Sequence, residues 1–265
     1  MTQKKRSGAK SFVPIGFNML ASLLIFFILL PLLLTLLSTS VGTLLQTLQD
    51  QVVIDSISLT FKAGALATIL GLLLGVPIAY LLARSDFPGK AIIEGIIDLP
   101  TVIPRTAAGI ALLLVFGRTG ILGKAFAHLG ITFTDRLAGI VVAMLFVSVP
   151  LLVNTSRQAF QAVNRDLEQA AQVDGASAWK VFWQISLPLA WRGVLNGAIM
   201  MFARGISEFG AVIILAYSPK IVPVLIYERF QGYGLEAATP ITVILLILIL
   251  ALFAVLRWLS NNINE

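Results

Sequence analysis

Leu23-Leu24-Ile25-Phe26-Phe27-Ile28-Leu29-Leu30-Pro31-Leu32-Leu33-Leu34-Thr35-Leu36-Leu37 is an apolar run interrupted only by Pro31 and Thr35, and Ile241 to Leu256 forms a second such block. Soluble cores are built from short periodic patches, whereas blocks of this length match the hydrocarbon thickness of a bilayer. Across 265 residues, 58% are hydrophobic and 12% charged, against roughly 25% charged in soluble domains. The solvent for most of this surface is therefore lipid. A membrane β-barrel needs segments of about ten residues alternating apolar and polar, and no such alternation runs through these blocks. Helices are then the remaining way to satisfy the backbone in hydrocarbon, and the fold class expected is an all-α integral membrane protein.

Other features exclude whole classes of function. Cysteine is absent, which removes disulfide frameworks and thiolate metal sites, and the single histidine, His128, removes most metalloenzyme readings. His128 is expected in a solvated outer loop. No Gly-x-x-x-x-Gly-Lys-Ser/Thr loop is present, so this chain carries no phosphate-binding loop of that type. The net charge of +6 is scattered between apolar blocks and forms no nucleic-acid-binding stripe. The first block follows Lys4-Lys5-Arg6, as a signal peptide would, but it fills a whole span and lacks a small-residue cleavage site. A retained first helix is expected.

Six spans are predicted, at about 17–39, 59–83, 96–116, 137–157, 193–217 and 238–258. The third is interrupted by Asp98, Pro100, Pro104 and Arg105. With both termini inside, the inner segments collect eleven basic residues, Lys4, Lys5, Arg6, Lys10, Arg84, Lys90, Arg157, Arg165, Lys180, Arg192 and Arg257, against six outside: Lys62, Arg118, Lys124, Arg136, Lys220 and Arg229. That bias favours an inward amino terminus and supports keeping the third span. The outer loops are short, and their glycines and prolines predict turns or helices lying at the interface. Gly64, Gly71 and Gly75 in the second span suit close helix packing, with a bend near Pro77 as the alternative.

The longest inner segment, 158–192, has its own pattern. Arg165 to Val173 is rich in helix formers, with Leu167, Ala170, Ala171 and Asp174 on one small, nearly flat face. Asp174-Gly175 predicts a helix stop, and Ser177 predicts the cap of a second short helix carrying Trp179, Val181, Phe182 and Trp183. Two short helices meeting at a corner of small residues let a partner backbone approach closely. The alternative is an interfacial hairpin anchored by Trp179 and Trp183 in the headgroup region, and spacing alone leaves both readings open.

The run Gln169-Ala170-Ala171, three residues, Gly175, nine residues, then Ile185-Ser186-Leu187-Pro188 resembles the inner-loop signature of permease subunits of binding-protein-dependent ABC importers, written Glu-Ala-Ala, three residues, Gly, nine residues, Ile-x-Leu-Pro. The departure is Gln169 in place of glutamate, with Glu168 immediately before it. Asp98 to Pro104, Phe146 to Pro150, Ala203 to Gly210 and Tyr227 to Phe230 further resemble the molybdate and tungstate permeases, with sulfate permeases as relatives. The likeness runs from about 55 to 258.

The resemblance implies a type I ABC importer permease fold in a single domain over 1–265. Glu168, Gln169, Ala170, Ala171, Asp174, Gly175, Ala176, Trp179, Ile185, Leu187 and Pro188 would form a peg seated on a cytoplasmic ATPase dimer. It further implies that this chain is a non-catalytic subunit, joined by a second permease copy and by an external oxyanion-binding protein that delivers substrate to the permease in the cytoplasmic membrane of a prokaryote. ATP and Mg would belong to the ATPase, with no cofactor in this chain. A carboxyl-terminal regulatory extension, carried by some molybdate permeases, is not expected. Arg105, Ser148, Arg204, Ser207 and Glu208 are the candidates for the translocation path or gate. Ionisable groups at membrane depth are costly and face a bundle interior or a wet cavity. Arg204 and Glu208, spaced i and i+4, suit either an anion path with its gate or a structural lock between helices. Arg105 suits either guidance of a dianion or bonding to carbonyls freed by Pro104. The non-ABC alternatives are an ion-coupled secondary transporter, for which no inverted repeat is visible, and a membrane enzyme, for which Asp98, Glu208 and Arg204 make too thin a constellation.

Overall fold

A computed structural model of the chain describes residues 15–262. The basic flank Lys4, Lys5, Arg6 and Lys10 lies outside the described residues. In chain order the helices are α1 (Ile15–Leu37), α2 (Val41–Thr47), α3 (Gln51–Arg84), α4 (Lys90–Val102), α5 (Arg105–Phe116), α6 (Ile121–Ala127), α7 (Leu137–Ala162), α8 (Arg165–Val173), α9 (Ala178–Val181), a π-helical turn (Phe182–Ser186), α10 (Leu187–Ile206), α11 (Gly210–Leu215), α12 (Val222–Tyr233) and α13 (Leu235–Asn262). Five helical stretches are long and apolar enough to cross a membrane, or six if the bent pair α4 and α5 makes one span.

α3, α7 and α10 pack mutually and form the heart of the bundle. Small residues set how closely they approach. A Cβ on Gly71 would lie 2.5 Å from the Met201 thioether, one on Gly64 would lie 2.6 Å from Ile206 Cγ2, and one on Gly197 would lie 3.1 Å from the Leu152 carbonyl oxygen. The expected close packing along the second span is therefore present, and Leu152, Ala198 and Met201 are buried behind it. A second core of Ala108, Leu112, Ile140, Met144, Val212 and Leu215 joins α5, α7 and α11. α1 buries none of its spanning stretch and touches mainly α13, as a helix that is apolar all round does when lipid is its solvent.

Two expected spans are corrected. The third is not one rod, because α4 and α5 meet at 115°. Ile103 and Pro104 are extended there, at ψ 143° and 134°, since Pro104 lacks an N–H and disfavours helical geometry in the residue before it. The fifth, expected to continue to 217, ends at Ile206, and a short α11 restarts after Ser207-Glu208-Phe209. Its apolar content continues across the break, but the Glu208 carboxylate takes the Ala211 N–H at 3.0 Å and starts a new helix there. The second span begins earlier than expected, at Gln51, where Asp50 accepts from the Val52 N–H and caps the helix.

The segments expected as outer loops carry the short helices α2, α6 and α12. His128 caps α6 and is exposed.

Candidate functional site

The corner between α7 and α10 follows its sequence through α8 and its stop, but Phe182 and Trp183, expected in a second short helix, lie in the π-helical turn that runs from α9 straight into α10. Asn164 accepts from the Asp166 N–H and starts α8. The helix ends at Gly175, whose φ of +88° is a backbone state that glycine enters without penalty. There the Gly175 N–H reaches the Gln172 carbonyl at 3.0 Å and the Ala176 N–H reaches the Ala171 carbonyl at 2.9 Å, the paired bonds that close a helix with a left-handed residue. Ser177 then accepts from the Lys180 N–H and caps α9. Leu167, Gln169, Ala170, Asp174 and Gly175 are exposed, Ala171 and Ala176 are half-buried, and Val173 is 87% exposed. The outward face of α8 thus sets Leu167, Ala170 and Val173 among Gln169, Gln172 and Asp174, all exposed.

Glu168 points the other way. It is 7% exposed, pairs with the Arg84 guanidinium at 2.8 Å and accepts the Ser186 hydroxyl at 2.6 Å. Arg84 also donates to the Val163 carbonyl at 3.0 Å, and Arg165 donates to the Ala83 carbonyl at 3.2 Å. One carboxylate therefore ties the last turn of α3 to α8 and to the π-helical turn. Behind it Tyr80, Phe160 and Phe182 stack edge to face, with Tyr80 centroids 5.2 and 4.9 Å from the other two. Trp179 and Trp183 remain exposed and pack on each other at 5.7 Å. Ile185 and Leu187 are half-buried, and Pro188 sits in the first turn of α10, where its missing N–H costs nothing. Arg84 and Ser186 were not among the residues singled out from sequence, because their link to Glu168 exists only in three dimensions.

At the far end of α10 lies the second cluster. Glu208 is 0% exposed. Its Oε2 lies 2.8 Å from Arg204 Nη2 and 4.0 Å from Arg105 Nε, and its Oε1 accepts from Ala211. Arg105 comes from the first position of α5 and is held against α11 by Gly210, where a Cβ would lie 2.7 Å from Arg105 Cβ. Two arginines thus share one carboxylate, which leaves a formal surplus of one positive charge. Arg105, with a side chain 57% exposed, is the member open to solvent. Ser207 is exposed and donates to the Arg204 carbonyl. Ser148 is buried, donates to the Met144 carbonyl within its own helix, and faces Gly205. No group of three or more His, Asp or Glu able to hold a metal occurs among the described residues.

At the opposite end of the bundle from α8 and α9, outside the spanning helices, Glu228 accepts from Lys220 at 2.7 Å and from the Tyr217 hydroxyl at 2.6 Å. These two bonds hold its carboxyl below the usual glutamate range, and the same carboxylate raises the Tyr217 phenol.

Comparison with known proteins agrees with this architecture. The crystal structure of a bacterial ABC transporter that imports the acidic polysaccharide alginate contains a chain of the same fold, with a TM-score of 0.75 at 16% identity over 95% of this chain and 96% of that one. The molybdate/tungstate transport system permease protein WtpB of Thermococcus kodakarensis is 42% identical over 94% of this chain and 96% of its own length. A probable sulfate transport system permease protein of Chlorokybus atmophyticus is 36% identical over 79% of this chain and 75% of its own. Residues 71–265 match the model of the binding-protein-dependent transport system inner membrane component. With the two-helix corner and these relatives in agreement, the chain belongs to the family of binding-protein-dependent transport system inner membrane components, the permease subunits of ABC importers.

Proposed function

We propose that this chain is the permease through which an ATP-driven importer moves molybdate or tungstate into a prokaryotic cell across the cytoplasmic membrane. The observation that carries the ATP-driven part is the exposed corner Ala170 to Ala176, a small projecting surface with its own chain only on the inner side. A cytoplasmic ATPase dimer seats on that corner, binds ATP and Mg, and performs the hydrolysis. Both termini then lie in the cytoplasm, with α4 and α5 together forming the third of six spans. A second copy of the chain completes the pore, and an external binding protein hands over the oxyanion. ATP closes the ATPase dimer, the two corners move together, and rigid-body motion of the bundles turns the cavity outward. Arg105, Arg204 and Ser207, with Glu208 as resident counter-ion, line the path and give it a field that favours a dianion.

The choice of molybdate or tungstate rests on the 42% identity to the Thermococcus permease, and sulfate is the second reading because the sulfate relative reaches 36%. Reconstitution with the cognate ATPase and binding protein, followed by ATP-dependent uptake of labelled molybdate, tungstate and sulfate, decides between them. Uptake of sulfate at the expense of the other two favours the second reading. Uptake driven by an ion gradient with no ATPase present rejects the whole proposal.

A further inference from the structure

A run of contacts along α3 joins the projecting corner to the cluster of Arg105, Arg204 and Glu208, and Arg84 stands at its corner end. α3 is 34 residues long, which at about 1.5 Å per residue makes a rod of about 51 Å. Its last residue, Arg84, is fixed to the corner by the Glu168 carboxylate at 2.8 Å and the Val163 carbonyl at 3.0 Å. Arg165, the first residue of α8, returns a bond to the Ala83 carbonyl. The connection is therefore made in both directions across the α3–α8 boundary. Further along the same rod, Gly71 seats Met201 and Gly64 seats Phe202 and Ile206, so α3 bears on the last turns of α10 on both sides of Arg204 and just before Glu208.

We infer that the Arg84–Glu168 pair is a rigid joint that makes α8 and α3 move as one body, and that Arg84 is a positioning residue for ATP coupling. The inference rests on the reading of the chain as an ATP-driven permease. It adds that Glu168 faces inward to the membrane bundle, while the partner surface is left to Ala170, Val173 and their neighbours. A planar guanidinium that engages a carboxylate and a carbonyl together fixes orientation in a way an ammonium does not. Burial of the pair keeps it from exchanging with water. Removing one partner leaves the other as an uncompensated buried charge, whereas exchanging the two retains the attraction.

The test uses the full complex in proteoliposomes and reads two quantities, the ATP hydrolysed per oxyanion imported and the ATPase retained on purification. Arg84→Gln and Glu168→Gln are expected to keep the ATPase bound while the ATP cost per anion rises about tenfold, a coupling loss in the ordinary range for linked sites. Arg84→Lys is expected to fall between, and the exchanged double variant, Arg84→Glu with Glu168→Arg, to recover part of the loss. Wild-type coupling in Arg84→Gln, or a loss that merely follows ATPase dissociation, overturns the joint. Should the single variants fail to accumulate, the natural absence of cysteine allows a direct measurement. Spin labels at Asp166→Cys on α8 and Leu74→Cys on α3, both exposed, are expected to hold one separation between the nucleotide-free and ATP-bound complexes, and a change of several ångströms overturns the proposal. A complex that hydrolyses ATP and moves none of the oxyanions offered rejects the substrate reading, and the label separation still judges the joint.

Discussion

The fully buried Glu208 carboxylate lies 2.8 Å from the guanidinium of Arg204, one helical turn earlier, and the helix ends between them. A carboxylate at that depth is tolerated because two cations and a backbone N–H surround it. Its two oxygens serve different ends, one capping α11 and the other neutralising arginine. Glu208→Gln keeps an oxygen for the Ala211 N–H and removes the charge. Breaking a buried pair typically costs about 3–5 kcal/mol, but Arg105 is open to solvent and Arg204 is only partly buried, so a smaller loss of about 1–3 kcal/mol is expected. Thermal unfolding of the purified chain in detergent measures it, and an unshifted midpoint would show that the pair contributes nothing to the fold. Arg105→Gln is expected to leave the midpoint nearly unchanged and to slow anion uptake, because the exposed member of the trio contributes to the field more than to packing.

The helix contacts give a second prediction. A Cβ on Gly193 meets the Ala159 Cβ directly, and that atom cannot rotate away, whereas a Cβ on Gly95 in α4 meets nothing within 4 Å. Gly193→Ala must push α10 off α7 and should cost about 1–3 kcal/mol. Gly95→Ala should be neutral or stabilising by up to about 1 kcal/mol, since alanine is the better helix former. Thermal melts of the two variants side by side check the contrast, and equal effects would contradict the close approach at Gly193.

The cluster of Tyr217, Lys220 and Glu228, at the end of the bundle away from α8, responds to pH in a defined direction. Glu228 is held below its ordinary value, first by the hydrogen bond from Lys220 and then by that from Tyr217. A depressed carboxyl contributes stability that is fully present above its unfolded value and is lost as pH falls through its folded value. The raised Tyr217 has the opposite sign, contributing below its ordinary value and losing that contribution as pH rises through the folded one. The protection factors of the α12 amides, measured against intrinsic exchange at each pH, should therefore be highest at neutral pH and fall below the usual glutamate range. Glu228→Gln should abolish that acid dependence, and an unchanged acid limb in the variant would assign it to another group.

What the sequence disclosed and what it withheld differ by the range of the interaction. α8 runs over the predicted residues because local signals determine it: Asn164 caps its start, good helix formers fill it, and Gly175 stops it. The apolar blocks gave the spanning helices for the same reason. The break at Ser207 was hidden, because hydropathy runs on across it while a single carboxylate turns back to the Ala211 N–H. The bend between α4 and α5 was signalled by Pro100 and Pro104, yet its 115° angle depends on packing against α7 and α11. Arg84 and Glu168 lie 84 positions apart, and one sequence holds no periodicity that could pair them.

Gly175 separates the cost of conformation from the cost of contact. Its φ is +88° and a Cβ built there meets nothing within 4 Å, so any penalty within the isolated chain is purely one of backbone. Left-handed geometry costs an ordinary residue about 1–2 kcal/mol, and asparagine tolerates it better than alanine or a branched residue. The chain alone should therefore lose little stability with Gly175→Asn, about 1 kcal/mol with Gly175→Ala and more with Gly175→Val. Binding to the ATPase should follow a different order, set by size, because the added atoms stand where the partner's backbone approaches. Gly175→Asn is the informative variant: it is expected to melt near the wild-type temperature and yet to lose most of its ATPase on co-purification. If it retains the ATPase in full and couples normally, the corner is not the contact surface, and the exposed face of α8 has some other purpose.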